Sequence, residues 1–183
     1  MRSGLDVVFR KFRDTDAREV SRFILENKRV VQADLRPERW ERILRFDSPG
    51  SLIERAKLDA FYVVSKPGGG LPLGIIGFTR YSGTEAEPVT FSVDRNFRGL
   101  GLGKLLAAES LLSQMAEGIT RFHVIASPMS QGIFSDLGFV EDSRLARLVS
   151  RGTFLSLRSE GDSGLIFLGR SMIRGITETE GAT

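Results

Sequence analysis

Val93-Asp94-Arg95-Asn96-Phe97-Arg98-Gly99-Leu100-Gly101-Leu102-Gly103-Lys104-Leu105-Leu106 joins a stretch that reads as a strand to one that reads as a helix. Upstream, Val89-Thr90-Phe91-Ser92-Val93 alternates large apolar with small polar residues, the period of a half-buried strand. Downstream, Leu105-Leu106-Ala107-Ala108-Glu109-Ser110-Leu111-Leu112 is strongly helix-forming. The glycines fall at the joint. Gly99, Gly101 and Gly103 carry no side chain, so a ligand can approach main-chain amides that a helix start leaves unpaired, and those amides suit an anion. The stretch therefore reads as a cradle of pyrophosphate size.

Spacing narrows the ligand. In a P-loop, Arg98 would occupy the first glycine position and Leu105 the Ser/Thr after the lysine, so that pattern fails twice. A dinucleotide fingerprint places its third glycine one residue later than Gly103 and asks for an acidic strand end about twenty residues on, which is not evident. The pattern that fits is Arg/Gln-x-x-Gly-x-Gly/Ala.

The rest of the chain sets the frame. At 183 residues it is sized for one well-buried domain, read as residues 1–176 with a small, polar tail at 177–183. Hydrophobic residues make up 41% and charged residues 27%, with no apolar run near the roughly 20 residues of a membrane span, so a soluble protein without a membrane partner is expected. The start, Met1 to Asp6, lacks an apolar leader core, and the absence of cysteine excludes disulfides and thiolate metal sites; a cytoplasmic protein without a metal is the expectation. Net charge is only +3 despite a sequence pI near 9.6, and charges alternate in sign, which argues against a nucleic-acid partner.

Along the chain, Val7-Val8-Phe9 reads as a first strand and Asp14-Thr15-Asp16 as the start of an amphipathic helix carrying Ala17, Val20, Phe23 and Ile24. Pro37 suits the first turn of a second helix with Trp40, Ile43 and Leu44 on one face; Trp40 is expected as a core anchor. Ser48-Pro49 caps a third helix through Leu52, Ile53 and Ala56. Strands at 60–65, 73–81 and 87–94 form a meander into the glycine loop. Then come a helix at 103–117, a strand at 121–126, a helix at 128–137 closed by Gly138, and strands at 144–149, 153–157 and 165–172. Exposed strands at the C-terminal end offer a homodimer surface.

This order, and the stretch from Val93 to Leu106, resemble the GNAT superfamily of acyl-CoA-dependent N-acetyltransferases. Phe134-Ser135-Asp136-Leu137-Gly138-Phe139 also resembles that family's closing Tyr-x-x-x-Gly-Phe segment, with one change. The resemblance implies an α/β GNAT fold: a mixed, mostly antiparallel sheet of about seven strands flanked by helices. It implies acetyl-CoA as co-substrate and a primary amine, on a small molecule or a protein, as acceptor. The amides of Gly99, Leu100, Gly101, Leu102, Gly103 and Lys104 would hold the CoA pyrophosphate, with Arg98 and Lys104 adding charge. Phe91, Ser92 and Val93 align with the strand that contacts pantetheine and the thioester carbonyl, while Phe91 and Val93 also read as core.

Glu87, six residues before Val93, aligns with the glutamate that the histone-acetyltransferase branch uses as base; Glu85 is the alternate. His123, the only histidine, reads as a sheet residue. Phe134 stands where many members carry the tyrosine that protonates the CoA thiolate, and Ser127 where many carry an asparagine that contacts the cofactor. Those departures leave a second reading, an acetyl-CoA-binding sensor or scaffold with little transfer.

Overall fold

A computed structural model of the chain describes residues 6–31, 36–141 and 153–158. Strand β1 (Val8–Lys11) leads through a 3-10 turn at Asp14–Asp16 into helix α1 (Ala17–Val31). Asp16 closes that turn by accepting the Arg13 amide at 2.8 Å and the Arg10 guanidinium at 2.6 Å. Helices α2 (Pro37–Phe46) and α3 (Pro49–Ala56) each begin on a proline, and the Ser48 hydroxyl accepts the Ser51 amide at 3.3 Å to cap the second of them.

The meander is β2 (Ala60–Ser65), β3 (Gly74–Arg80) and β4 (Glu85–Val93), and α4 (Leu102–Ala116) follows the glycine loop. Strand β5 (Arg121–Ala126), helix α5 (Pro128–Asp136), β6 (Val140–Glu141) and β7 (Thr153–Arg158) complete the order. The seven strands form one sheet in the order β1-β2-β3-β4-β5-β7-β6, antiparallel except for the β4–β5 pair.

Alternation along the central strands divides the core. Tyr62, Val64, Ile76 and Phe78 pack with Leu106 and Leu111 of α4 and Phe134 of α5. Phe61, Val63 and Ile75 pack with Val20, Phe23 and Ile24 of α1 and Leu52 of α3. Each large apolar side chain sealed this way contributes about 1.5–3 kcal/mol by leaving water. The buried Tyr62 hydroxyl accepts from the Gln114 amide at 2.7 Å, so this polar atom in the α4 layer is satisfied.

Three expectations are corrected. Trp40 is not a core anchor: it is only half-buried, and α2 has no fully buried residue, because its amphipathic face meets α3 rather than the sheet. The alternation through Val89, Phe91 and Val93 is broken by a bulge described below. The last strand of the meander begins at Glu85, two residues before the expected start, and the short β6 was not expected. The strands expected at 144–149 and 165–172 and the tail at 177–183 lie outside the described residues. Among the described residues no helix is long and apolar enough to cross a membrane, and no group of His, Asp or Glu could hold a metal ion.

Candidate functional site

The parallel pairing of β4 with β5 is confined to Glu85↔Arg121 and Ala86↔Phe122, where an Arg121–Glu85 ion pair at 2.8 Å clasps the closed end. Beyond Ala86, β4 continues to Val93 and β5 to Ala126 without further pairing, which opens a gap in the middle of the sheet. A bulge helps to open it. From Ile75 to Gly77 strand β3 advances two residues while β4 advances three, from Ser92 back to Val89. Thr90 takes up the extra residue at φ +53°, a left-handed conformation that costs a β-branched residue about 1–3 kcal/mol. Bulges raise local twist and turn the strand aside.

The bulge also swaps faces. Val89 lies opposite Gly77 on the α1/α3 side, whereas Phe91 and Val93 pack into the α4/α5 side. The Asp94 amide donates to Leu73 of the β3 side at 2.8 Å. Main-chain groups alternate along a strand, so Ser92 also turns toward β3, and the main-chain groups of Phe91 and Val93 face the gap. A strand edge left open in this way can pair with an extended ligand.

At the end of β4 the Asp94 side chain accepts the Asn96 amide at 2.7 Å and caps a 3-10 turn, Arg95–Phe97. Gly99 and Gly101 then take φ +74° and +86°, and Gly101 is the N-cap of α4. The first bond into the helix runs from the Leu105 amide to the Gly101 carbonyl at 3.0 Å. The amides of Leu102, Gly103 and Lys104 precede it and have no carbonyl to meet within the helix, so the positive end of α4 opens at the mouth of the gap. Gly103 has a different task from the one expected. A Cβ there would lie 3.1 Å from Ile133 and 3.4 Å from Phe91 and Val93, so its bareness lets α4 sit against α5 and β4 instead of making room for a ligand.

Solved acetyltransferases share this arrangement. The PaiA N-acetyltransferase of Thermoplasma acidophilum, in complex with coenzyme A, matches with a TM-score of 0.69 over 84% of this chain and 99% of its own, at 15% identity. A GNAT-family acetyltransferase from Staphylococcus aureus Mu50 matches at 0.66 over 83% and 98%, also at 15% identity. Ard1 of Thermoplasma volcanium matches at 0.62 over 85% and 99%, at 18% identity. No protein-family model and no curated protein matches the chain in sequence. The chain has the GNAT fold.

Within this GNAT frame the residues singled out from sequence are distributed unevenly. Leu100 is exposed at the tip of the loop, whereas Leu102 is buried in the core and offers only its amide. Arg98 bridges the loop: its Nε donates to the Val93 carbonyl at 3.2 Å and its guanidinium to Asn27 of α1 at 3.1 Å. Arg98 also borders a cavity of about 510 Å³ with Asn27, Arg29, Asp94 and Arg95. Lys104 pairs with Asp136 of α5 at 3.1 Å, so its charge links the two helices. Ser127 is exposed at the N-cap of α5, bonded to the Ser130 hydroxyl at 3.0 Å. Phe134 is sealed in the core between Phe91 and Phe139, with ring centroids 5.7 Å and 5.2 Å away.

Glu87 is half-buried opposite Thr79 and accepts a hydrogen bond from the Tyr81 hydroxyl. That bond, with burial and the charges of Glu87 and Asp59 behind it, pushes the Tyr81 phenol up to about 12. Glu85, the alternate, is engaged with Arg121. His123 lies mid-strand in β5 opposite Ser156.

Sequence reasoning missed the group beside Glu87. The Thr79 hydroxyl donates to Asp59 at 3.2 Å, Arg55 lies 3.8 Å from the same carboxylate, and Arg55 donates to the Thr90 hydroxyl at 3.2 Å. One signal was available: Arg55 follows the buried Leu52 by three residues, which puts a charge on the core face of α3.

Proposed function

We propose that this protein is an N-acetyltransferase that moves an acetyl group from acetyl-CoA to a primary amine by direct attack in a ternary complex. The observation that carries the reading is the conjunction of an open β4 edge with a helix N-terminus whose amides precede the first intrahelical bond. An acyl-CoA is long enough to need both, a strand edge for its amide-bearing arm and an anion site for its pyrophosphate. The coenzyme A in the Thermoplasma acidophilum relative supports the same ligand.

In this reading the amides from Gly99 to Lys104 hold the pyrophosphate. Arg98 adds charge when its guanidinium leaves the neutral Val93 and Asn27 oxygens for the anion, and Lys104 stays with Asp136 as a strut. The gap-facing main chain of Val93 pairs with the pantetheine arm, and the Phe91 amide donates to the thioester oxygen. That donor matters most where negative charge develops, in the tetrahedral intermediate.

Glu87 takes the ammonium proton, directly or through water, while Tyr81 steadies its carboxylate. The freed amine attacks the thioester carbon, the C–N bond forms, the C–S bond breaks, and CoA leaves as its thiolate. Phe134 has no proton to give and is buried, so the thiolate leaves as such or takes its proton from water. A free thiol has an unperturbed pKa of about 8.5, low enough for that departure.

The sealed Phe134 ring favours one competing reading, an acetyl-CoA sensor of the same fold. Calorimetry with acetyl-CoA and thiol release across a panel of amines separates the two. The transferase reading expects binding and amine-dependent release of CoA; tight binding with no thiol released for any amine overturns it and leaves the sensor.

A further inference from the structure

We infer that Arg55 is a positioning residue for acetyl transfer: it clamps the left-handed Thr90 of the β4 bulge and through it aims the Phe91 amide. The inference rests on the acetyltransferase reading for its kinetic consequence, but not for the coupling itself. Arg55 lies on α3, far from β4 in sequence, and its side chain is only 16% exposed. Its guanidinium lies 3.9 Å from the centroid of the Phe46 ring and 5.0 Å from that of Phe61. Aromatic faces attract a cation and restrict a planar fork to few orientations. The Nη2 of that fork meets the Thr90 hydroxyl, and Nε faces Asp59.

The platform under Arg55 is itself fixed. At the α2–α3 junction, Asp47 is fully buried, accepts from Lys28 of α1 at 2.6 Å, and offers its carbonyl to Ser21 of α1 at 2.6 Å. The chain of contacts therefore runs from α1 through the junction and α3 to Thr90.

A charged group in such a place is a poor choice for stability alone. Burial pulls the Arg55 pKa down against the fields of Asp59 and Asp47, and Nη1 is buried without a partner among the described residues. An apolar side chain would fill an α3 face next to Leu52 at lower cost. What an apolar residue cannot do is hold the hydroxyl of a residue kept at positive φ, next in sequence to the amide that meets the thioester oxygen. An amide tilted away from that oxygen still permits cofactor binding, because the pyrophosphate and the arm are held elsewhere, but it weakens the transition state.

The test uses Arg55→Lys, which keeps the charge and loses the fork, and Thr90→Val, which keeps the shape and loses the hydroxyl, with Thr90→Ser as the conservative control. We expect Arg55→Lys and Thr90→Val each to lower kcat by about ten- to a hundredfold, with acetyl-CoA affinity and melting temperature near wild type. The double variant should be no worse than either single one, since both remove one interaction, and Thr90→Ser should retain wild-type kcat. Multiplicative losses, or losses matched by equal falls in affinity or melting temperature, overturn the inference. Amide exchange at Phe91, read by NMR without any acceptor, gives a second and independent decision. Faster exchange in Arg55→Lys and Thr90→Val supports the clamp, and unchanged exchange refutes it even if the wild-type protein acetylates nothing. A wild type that releases no thiol sinks the transferase reading instead.

Discussion

The two sides of the gap are built from different material. On the donor side, from Arg98 to Lys104, the geometry is made by main chain: left-handed Gly99 and Gly101, a helix start, and amides that belong to no particular side chain. On the acceptor side, Glu87, Tyr81, Asp59, Thr79, Arg55 and Thr90 come from α3, β3 and β4 and their near connections, and meet only through side chains. Backbone geometry is coded locally by glycines at set intervals, whereas a side-chain constellation is coded by the whole fold. The donor half therefore tolerates change in side chain and not in conformation, and the acceptor half the reverse.

The sharpest way to break this contrast is Glu87→Gln. It leaves the fold and the donor loop untouched, so acetyl-CoA should bind as in wild type while kcat falls by about 10²–10⁴, the usual worth of a positioned base. A kcat and pH–rate profile like those of wild type would remove Glu87 from the chemistry. Gly101→Val works from the other side. Open space surrounds the missing Cβ, but φ +86° remains, and strain of about 1–2 kcal/mol adds to the loss of charge-assisted amide contacts worth about 1.5–3 kcal/mol. Calorimetry should show acetyl-CoA affinity about a hundredfold weaker, with the fold retained.

Gly103→Ala sharpens the distinction within the loop itself. Its Cβ presses on Ile133, Phe91 and Val93, so the expected loss is about 1–3 kcal/mol of stability from overpacking, seen in denaturant unfolding with little change in affinity per folded molecule. If Gly103→Ala instead weakened acetyl-CoA binding as much as Gly101→Val, the three glycines would share one role and the assignment of Gly103 to packing would be wrong.

These assignments mark where the sequence was legible. Strand, loop and helix around Gly99 to Gly103 could be read because glycine and helix-forming residues act over a few positions. The seven-stranded sheet followed from element order, since short antiparallel connections leave few topologies. The bulge at Thr90 could not be read: Val89, Phe91 and Val93 satisfy the period of a plain strand, and only the register with Ile75 and Gly77 reveals the extra residue. Trp40 misled for a related reason, because an amphipathic pattern says that a face is covered and not by what; α2 leans on α3 and leaves the ring half-exposed. Arg55 was hidden among charged neighbours in Glu54-Arg55-Ala56-Lys57, although one of them faces inward.

The smallest effect tests whether the acceptor cluster is bound together electrostatically. The Tyr81 phenol, pushed up to about 12 by its bond to Glu87, keeps its proton in the folded protein above the ordinary value of 10.0. In the unfolded chain it loses that proton near the ordinary value. Between the two the folded state holds more protons than the unfolded one, so stability falls as pH rises. The contribution of the bond is complete below pH about 10 and lost as pH passes about 12. Tyr81 is 61% exposed, so solvent screening reduces the effect to less than about 1 kcal/mol. Tyr81→Phe should therefore lower stability slightly at neutral pH and show a shallower decline than wild type across the alkaline window, in denaturant titrations at stepped pH. Parallel declines in the two proteins would mean that the Tyr81–Glu87 bond does not persist in solution, and that the acceptor side is held by Arg55 and Asp59 without it.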